Sequence, residues 1–218
     1  MDENDTSQRA RPRKQPSQAR ARKTVEAIIE ATARILEAQG HDGFTTNAVA
    51  ERAGVSIGTL YQYFPNKDAL LGALIDREAA LLLDAAVRAG GAPSGHAALD
   101  VLMAAAVAHQ LRRPALARLL DFEESRMPLD ADRQRVRQRF EAIVVDLLSR
   151  PDLPPQADLP TAAADVAAII QGMLDAAGAR GETAPEALLG RVRRAVLGYL
   201  QGAVAVGQGG GADGSALR

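Results

Sequence analysis

Residues 44–67 read FTTNAVAERAGVSIGTLYQYFPNK, two short helices joined by a tight turn. Thr45 or Thr46 offers a side-chain oxygen to cap the first helix, and Ala48, Val49 and Ala53 form its small apolar face. Gly54 ends that helix, because glycine enters the left-handed backbone region without a Cβ penalty, and Val55 plugs the angle that follows. Ser56 caps the second helix, which runs from Ile57 to Phe64. Leu60 and Phe64, four residues apart, share its inner face, leaving Ser56, Gly58, Thr59, Tyr61, Gln62 and Tyr63 to face outward. A short helix that follows a sharp corner and exposes small and hydrogen-bonding residues is suited to a DNA groove.

Upstream, residues 1–16 read as a polar, disordered basic arm. Between Arg9 and Lys23 there are seven basic residues and no acidic one, the charge pattern expected beside phosphates. The chain's net charge is only −1, so this local excess carries the argument. Val25, Ile28, Ile29, Thr32, Ile35 and Leu36 then mark one face of a helix that Gly40 is expected to end. Downstream, Pro65 and Asn66 form a turn, with Asn66 placed to cap a long helix from Lys67 to Ala89 whose stripe is Leu70, Leu71, Leu74, Ile75, Leu81 and Leu82. After a Gly- and Pro-containing loop at 90–95, helices are expected at 96–111, from Pro114, and along Val136, Phe140, Ile143, Val144, Leu147 and Leu148. Two more follow at 161–178 and 184–202, and a Gly-rich end from Gly207 is expected to fray.

Composition narrows the possibilities. In 218 residues, 47% apolar, there are four Phe, three Tyr and no Trp, so the core is aliphatic and rich in helix formers. Neither strand alternation nor a fixed repeat is present, and the expected fold is all-α with about nine helices: an N-terminal helix-turn-helix domain and a C-terminal helical domain. The absence of Cys excludes disulfides, thiolate metal sites and a cysteine nucleophile, and is compatible with a cytoplasmic location. His41, His96 and His109 lack metal-ligand spacing. Asp121, Glu123 and Glu124 lack the Glu-x-x-His partner of a di-iron site. With no phosphate loop or serine-nucleophile signature either, no enzyme is expected. Nor is a membrane partner, since no uninterrupted apolar run approaches the ~20 residues of a spanning helix.

The segments Phe44-Thr45-Thr46, Ala48-Val49-Ala50, Ala53-Gly54-Val55-Ser56, Gly58-Thr59-Leu60-Tyr61, Tyr63-Phe64 and Asn66-Lys67-Asp68-Ala69-Leu70 resemble the pattern of the TetR family of bacterial transcription regulators. The helix order resembles it too. The resemblance implies a helix-turn-helix DNA-binding domain at 17–66, a ligand-binding and dimerisation domain at 67–206 and a flexible tail at 207–218. It implies that Thr45 and Thr46 offer a hydroxyl and an amide to phosphate, that Tyr61, Tyr63 and Lys67 contact the backbone, and that Thr59 meets a phosphate or a base edge. Base reading falls to Ser56, Ile57, Gly58 and Gln62, with Gln62 suited to adenine and Ile57 to a thymine methyl. A homodimer through the last two helices, where Gly172, Ala176, Ala177, Gly198 and Gly202 allow close approach, would place two such motifs on a palindromic double-stranded operator. The resemblance also implies no cofactor but an unidentified small-molecule effector held in the body. Candidate walls are Leu102, Met103, Val107, His109, Gln110, Phe122, Met127, Phe140 and Met173. Repression is the expected outcome. The alternative is a helical protein–protein adaptor that does not read DNA, and the basic arm with Tyr61 and Lys67 separates the two.

Overall fold

The computed structural model describes residues 19–126 and 130–208. Among these residues there are nine helices and no strand: α1 (Ala19–Gly43), α2 (Thr46–Ala53), α3 (Ile57–Tyr63), α4 (Lys67–Gly90), α5 (Gly95–Arg112), α6 (Pro114–Arg126), α7 (Ala131–Leu148), α8 (Leu159–Ala179) and α9 (Pro185–Gln208). The arm at 1–16, Met127 and the end beyond Gln208 lie outside the described residues. Two boundaries differ from expectation. Gly40 has φ 62° and ψ −156°, a kink after which α1 continues to Gly43; and α9 runs through Gly207 to Gln208.

The residues form two compact units, neither a contiguous segment: one comprises the described residues up to Leu81 with Arg113–Gln134, the other Leu82–Arg112 with Arg135 onward. In the first unit Ile28, Ile35 and Leu36 of α1, Phe44, Val49 of α2, Leu60, Phe64, and Leu70 and Leu74 of α4 close one core, joined by Leu116 and Leu120 of α6. Each large side chain so buried contributes roughly 1.5–3 kcal/mol. An ion-pair network ties the same helices along their polar edges. Glu30 pairs with Arg34 at 2.8 Å, Arg77 at 3.1 Å and Arg113 at 3.3 Å, and Arg113 pairs with Glu37 at 2.8 Å. Burial pushes the Glu30 carboxyl up, but the Arg34 hydrogen bond and the charges of Arg113 and Arg77 outweigh it and hold the group below its ordinary range.

In the second unit Leu99, Met103 and Val107 of α5 pack with Val144, Leu147 and Leu148 of α7, Val166, Ile170 and Leu174 of α8, and Leu188, Val192, Val196 and Leu200 of α9. By length and composition α8 could cross a membrane; here its apolar stripe lies in this core. A clamp holds one end of the unit. Arg150 donates to the carbonyls of Gly90, Ala92 and Ser94 at 2.5, 2.8 and 3.2 Å, while Asp152 accepts from the Gly95 and His96 amides at 2.8 and 3.0 Å. Gly95 permits this closure, since a Cβ there would lie 2.7 Å from Leu153 and 3.0 Å from the Asp152 carboxylate.

Two stripe residues are exposed against expectation, Leu81 and Val136. In the second half of α4 the buried positions are Ala85, Ala86 and Ala89, centred about a quarter turn from Leu81 at ~100° per residue. Within α7, Phe140, Ile143 and the buried residues after them pack on the core, while residues 134–139 are exposed.

Candidate nucleic-acid interface

Four local devices build the corner at α2 and α3. Thr45 is the residue that caps α2, its Oγ1 accepting the Ala48 amide at 3.1 Å. Gly54 closes α2 with φ 68°, and its amide returns to the carbonyls of Ala50 and Glu51. Ser56 Oγ accepts the Thr59 amide at 3.0 Å and so starts α3. Asn66 Oδ1 accepts the Ala69 amide at 2.8 Å and starts α4. Each such N-cap stabilises its helix by ~1 kcal/mol. Leu60 and Phe64 are fully buried, and Val55 packs against the same core, so the apolar anchoring of α3 comes from its inner face.

Its outer face is Ile57, Gly58, Tyr61 and Gln62, all exposed. Ile57 is 37% and Tyr61 42% exposed, a small apolar and aromatic surface next to hydrogen-bonding groups. A Cβ on Gly58 would find only Ser56 Oγ, 3.8 Å away, so nothing in the fold requires glycine there. The space a side chain would take is left to whatever approaches the helix from outside.

Hydroxyls on this surface are paired rather than loose. Thr46 Oγ1 and Tyr61 Oη lie 3.1 Å apart, linking the start of α2 to the outer face of α3. The pair uses one hydroxyl hydrogen internally and keeps one to donate outward, beside the amides at the α2 N-terminus, which favour an anion. Ser56 Oγ and Thr59 Oγ1, 2.8 Å apart, are coupled the same way. Lys67 Nζ stands 5.2 Å from the centroid of the Phe44 ring, a cation–π contact worth ~0.5–1 kcal/mol. Lys67 is a cation in the first turn of α4, where Asp68 offsets it against the helix dipole, whereas Arg20, Arg22 and Lys23 lie near the start of α1 without an acidic residue in its first turn. Charge placed against helix stability fits an anionic partner.

Of the ten DNA-contacting candidates, Thr45, Ser56, Ile57, Gly58, Tyr61, Gln62 and Lys67 are exposed, and Thr46, Thr59 and Tyr63 are half-buried. Tyr63 packs partly against the first core. The effector candidates divide. Leu102, Met103, Val107 and Gln110 are buried in the second unit, and Phe140 and Met173 pack against its core. His109 is half-buried on the same helix. Phe122 belongs to the first unit, 57% exposed beneath Arg126. Arg113, Arg150 and Asp152 escaped the sequence reading because their partners lie more than 50 residues away, beyond any local pattern. Hydrogen bonds from the His96 amide and ring and from the Gly95 amide hold the Asp152 carboxyl well below the ordinary carboxylate range. No group of three or more metal-binding side chains occurs among the described residues.

Comparison with known proteins points the same way. The family model for bacterial regulatory proteins, tetR family, matches residues 28–74, and one for the C-terminal domain of tetracyclin-repressor-like proteins matches 96–200. The HTH-type transcriptional repressor KstR of Mycolicibacterium smegmatis is 44% identical over 69 residues, 30% of this chain and 34% of that one. The chain thus spans about a third of that curated relative and about a quarter of others like it. A TetR-family transcriptional regulator from Streptomyces coelicolor matches in structure at 26% identity, with TM-score 0.60 over 81% of this chain and 99% of that one. The fatty acid degradation regulator FadR from Bacillus halodurans matches at 17% identity, with TM-score 0.68 over 84% and 96%; at that identity the likeness concerns the fold alone.

Proposed function

Because the chain belongs to the tetR family of bacterial regulatory proteins, we propose that it is a sequence-specific DNA-binding repressor of transcription that occupies an inverted-repeat operator as a dimer and leaves it when a small molecule binds. The observation that carries this reading is the outer face of α3, where Ile57, Gly58, Tyr61 and Gln62 are all exposed and a Cβ on Gly58 would meet only Ser56 Oγ. The matched segment of KstR, itself named an HTH-type transcriptional repressor, supports it.

In this reading Tyr61, with Thr46, and Lys67 hold phosphates and set the register. Thr45, Thr59 and Tyr63 add backbone contacts. Gln62 reads an adenine edge, Ile57 packs on a thymine methyl, and Ser56 and Gly58 allow the helix to approach the base edges. Two such helices reach successive major-groove faces when their centres are ~34 Å apart, which one chain alone cannot achieve. We assign dimerisation to α8 and α9: Gly172, Gly198 and Gly202 are exposed, and a Cβ on any of them would meet nothing within 4 Å. The protein acts in the cytoplasm, with the second unit as effector domain and without catalytic chemistry.

Selection of bound duplexes from a random pool at two salt concentrations tests the function, with sedimentation to follow the mass. An inverted repeat bound by two chains is expected. Binding that vanishes with salt and yields no consensus would leave only phosphate attraction and would move the adaptor reading forward.

A further inference from the structure

Among the described residues of the second unit, one buried side chain is polar. Gln110 is only 4% exposed, yet its Nε2 is buried without a hydrogen-bond partner, the one such side-chain atom among the described residues. It lies three and seven residues beyond Val107 and Met103 on α5, so the three share a face, and both of those neighbours belong to the second core. Leaving a buried amide donor unpaired is costly, and a buried position that serves only packing is better filled by an apolar side chain of equal volume. Nothing in the helix itself requires Gln there, as Leu has at least equal helix propensity.

We propose that Gln110 is the polar anchor of the effector site and that the effector is an apolar molecule presenting a neutral acceptor oxygen, of the ketone, ester or amide kind, to Gln110 Nε2. This rests on the reading of the second unit as an effector domain and adds the chemistry of what it takes. An acceptor follows from the orphaned group being an N–H. Neutrality follows from the anchor itself: an amide carries no charge, and a carboxylate buried against Gln110 would find in it no counter-charge to offset its desolvation. Specificity then comes from the donor, since a site with a buried N–H rejects a molecule that leaves it unpaired.

The test uses ten-carbon probes on the full-length protein, namely decan-2-one, methyl nonanoate, decanoate and n-decane. It compares wild type with Gln110→Leu and, to guard against a packing fault, Gln110→Met, following thermal shift and the side-chain amide signals of ¹⁵N-glutamine-labelled protein. Wild type is expected to bind the ketone and ester about tenfold more tightly than decane or decanoate, with the Gln110 amide signals moving. Both variants are expected to melt higher without probe and to lose that preference while still binding decane. Preference for decanoate, no preference in wild type, no binding of any probe, or a preference that survives both substitutions would overturn the assignment. Operator binding measured on the same preparations without probe keeps the two readings apart: its absence in wild type counts against the regulator, its retention in the variants leaves only Gln110 at stake.

Discussion

At the scale of single residues, structure and function separate most cleanly at Gly58 and Lys67. Gly58 sits in the first turn of α3 with open space where its Cβ would be. Gly58→Ala should therefore stabilise the chain by about 0.5–1 kcal/mol, as alanine does in helices, while weakening operator binding about tenfold or more by standing between α3 and the base edges. Calorimetry and a gel-shift titration of one preparation check both halves; unchanged operator affinity would mean that DNA does not approach there. Lys67→Ala removes a cation that α4 does not want in its first turn. It should lower affinity for operator and random DNA alike and reduce the slope of log K against log salt by about 1, leaving the melting temperature nearly unchanged because relief at the helix start and the better helix former offset the lost contact with Phe44. Legibility at this scale was high. Thr45, Gly54, Ser56 and Asn66 act through neighbours three or four positions away, within reach of a sequence pattern, and all four do in the structure what their residue types suggest. The Thr46–Tyr61 bond joins residues fifteen apart and was not legible as a pair.

At the scale of elements, the turn between α2 and α3 depends on one backbone conformation. Gly54→Ala forces a Cβ into the left-handed region at a cost of about 1–2 kcal/mol, so the melting temperature should fall even though no side-chain contact is lost. The clamp on the α4–α5 loop makes a different prediction, because it is ionic. Asp152 has its pKa lowered by the amides and ring that it faces. Such a group stabilises the fold fully above its unfolded pKa and loses that contribution as pH falls toward the folded value. Asp152→Asn should thus melt below wild type at neutral pH, and the gap should narrow progressively as pH falls below about 4. Melting curves from pH 7 down to the acid transition decide this; a gap constant with pH would show that the carboxylate charge is not involved. These long-range contacts mark the limit of periodicity. The stripes placed the helices to within a few residues, but they mistook Leu81 and Val136 for core, because hydrophobic spacing identifies a face without saying how far along it a partner extends. Nor did they reveal that Leu116 and Leu120 of α6 close the first core, since an apolar face does not specify its partner.

For the whole molecule, the open glycines of α8 and α9 carry the prediction. Gly172→Arg or Gly198→Arg places a long cation where the Cβ meets nothing within 4 Å beyond its own turn of helix, so the monomer should fold unchanged. If these faces meet their copies, sedimentation should then report a monomer, and operator affinity should fall by orders of magnitude because two half-sites are no longer bound together. A dimer that survives both changes would place the interface elsewhere. The exposed face of α3 has a broader consequence. Leu60 and Phe64 anchor the helix from behind, and the side chains in front contribute little to folding. Substitutions at Ile57 and Gln62 are therefore nearly silent for stability, and a lineage can explore new target sequences there without first accumulating spare robustness. Regulatory rewiring, in this scaffold, is a neutral walk for the fold and a selected one only for the genome it addresses.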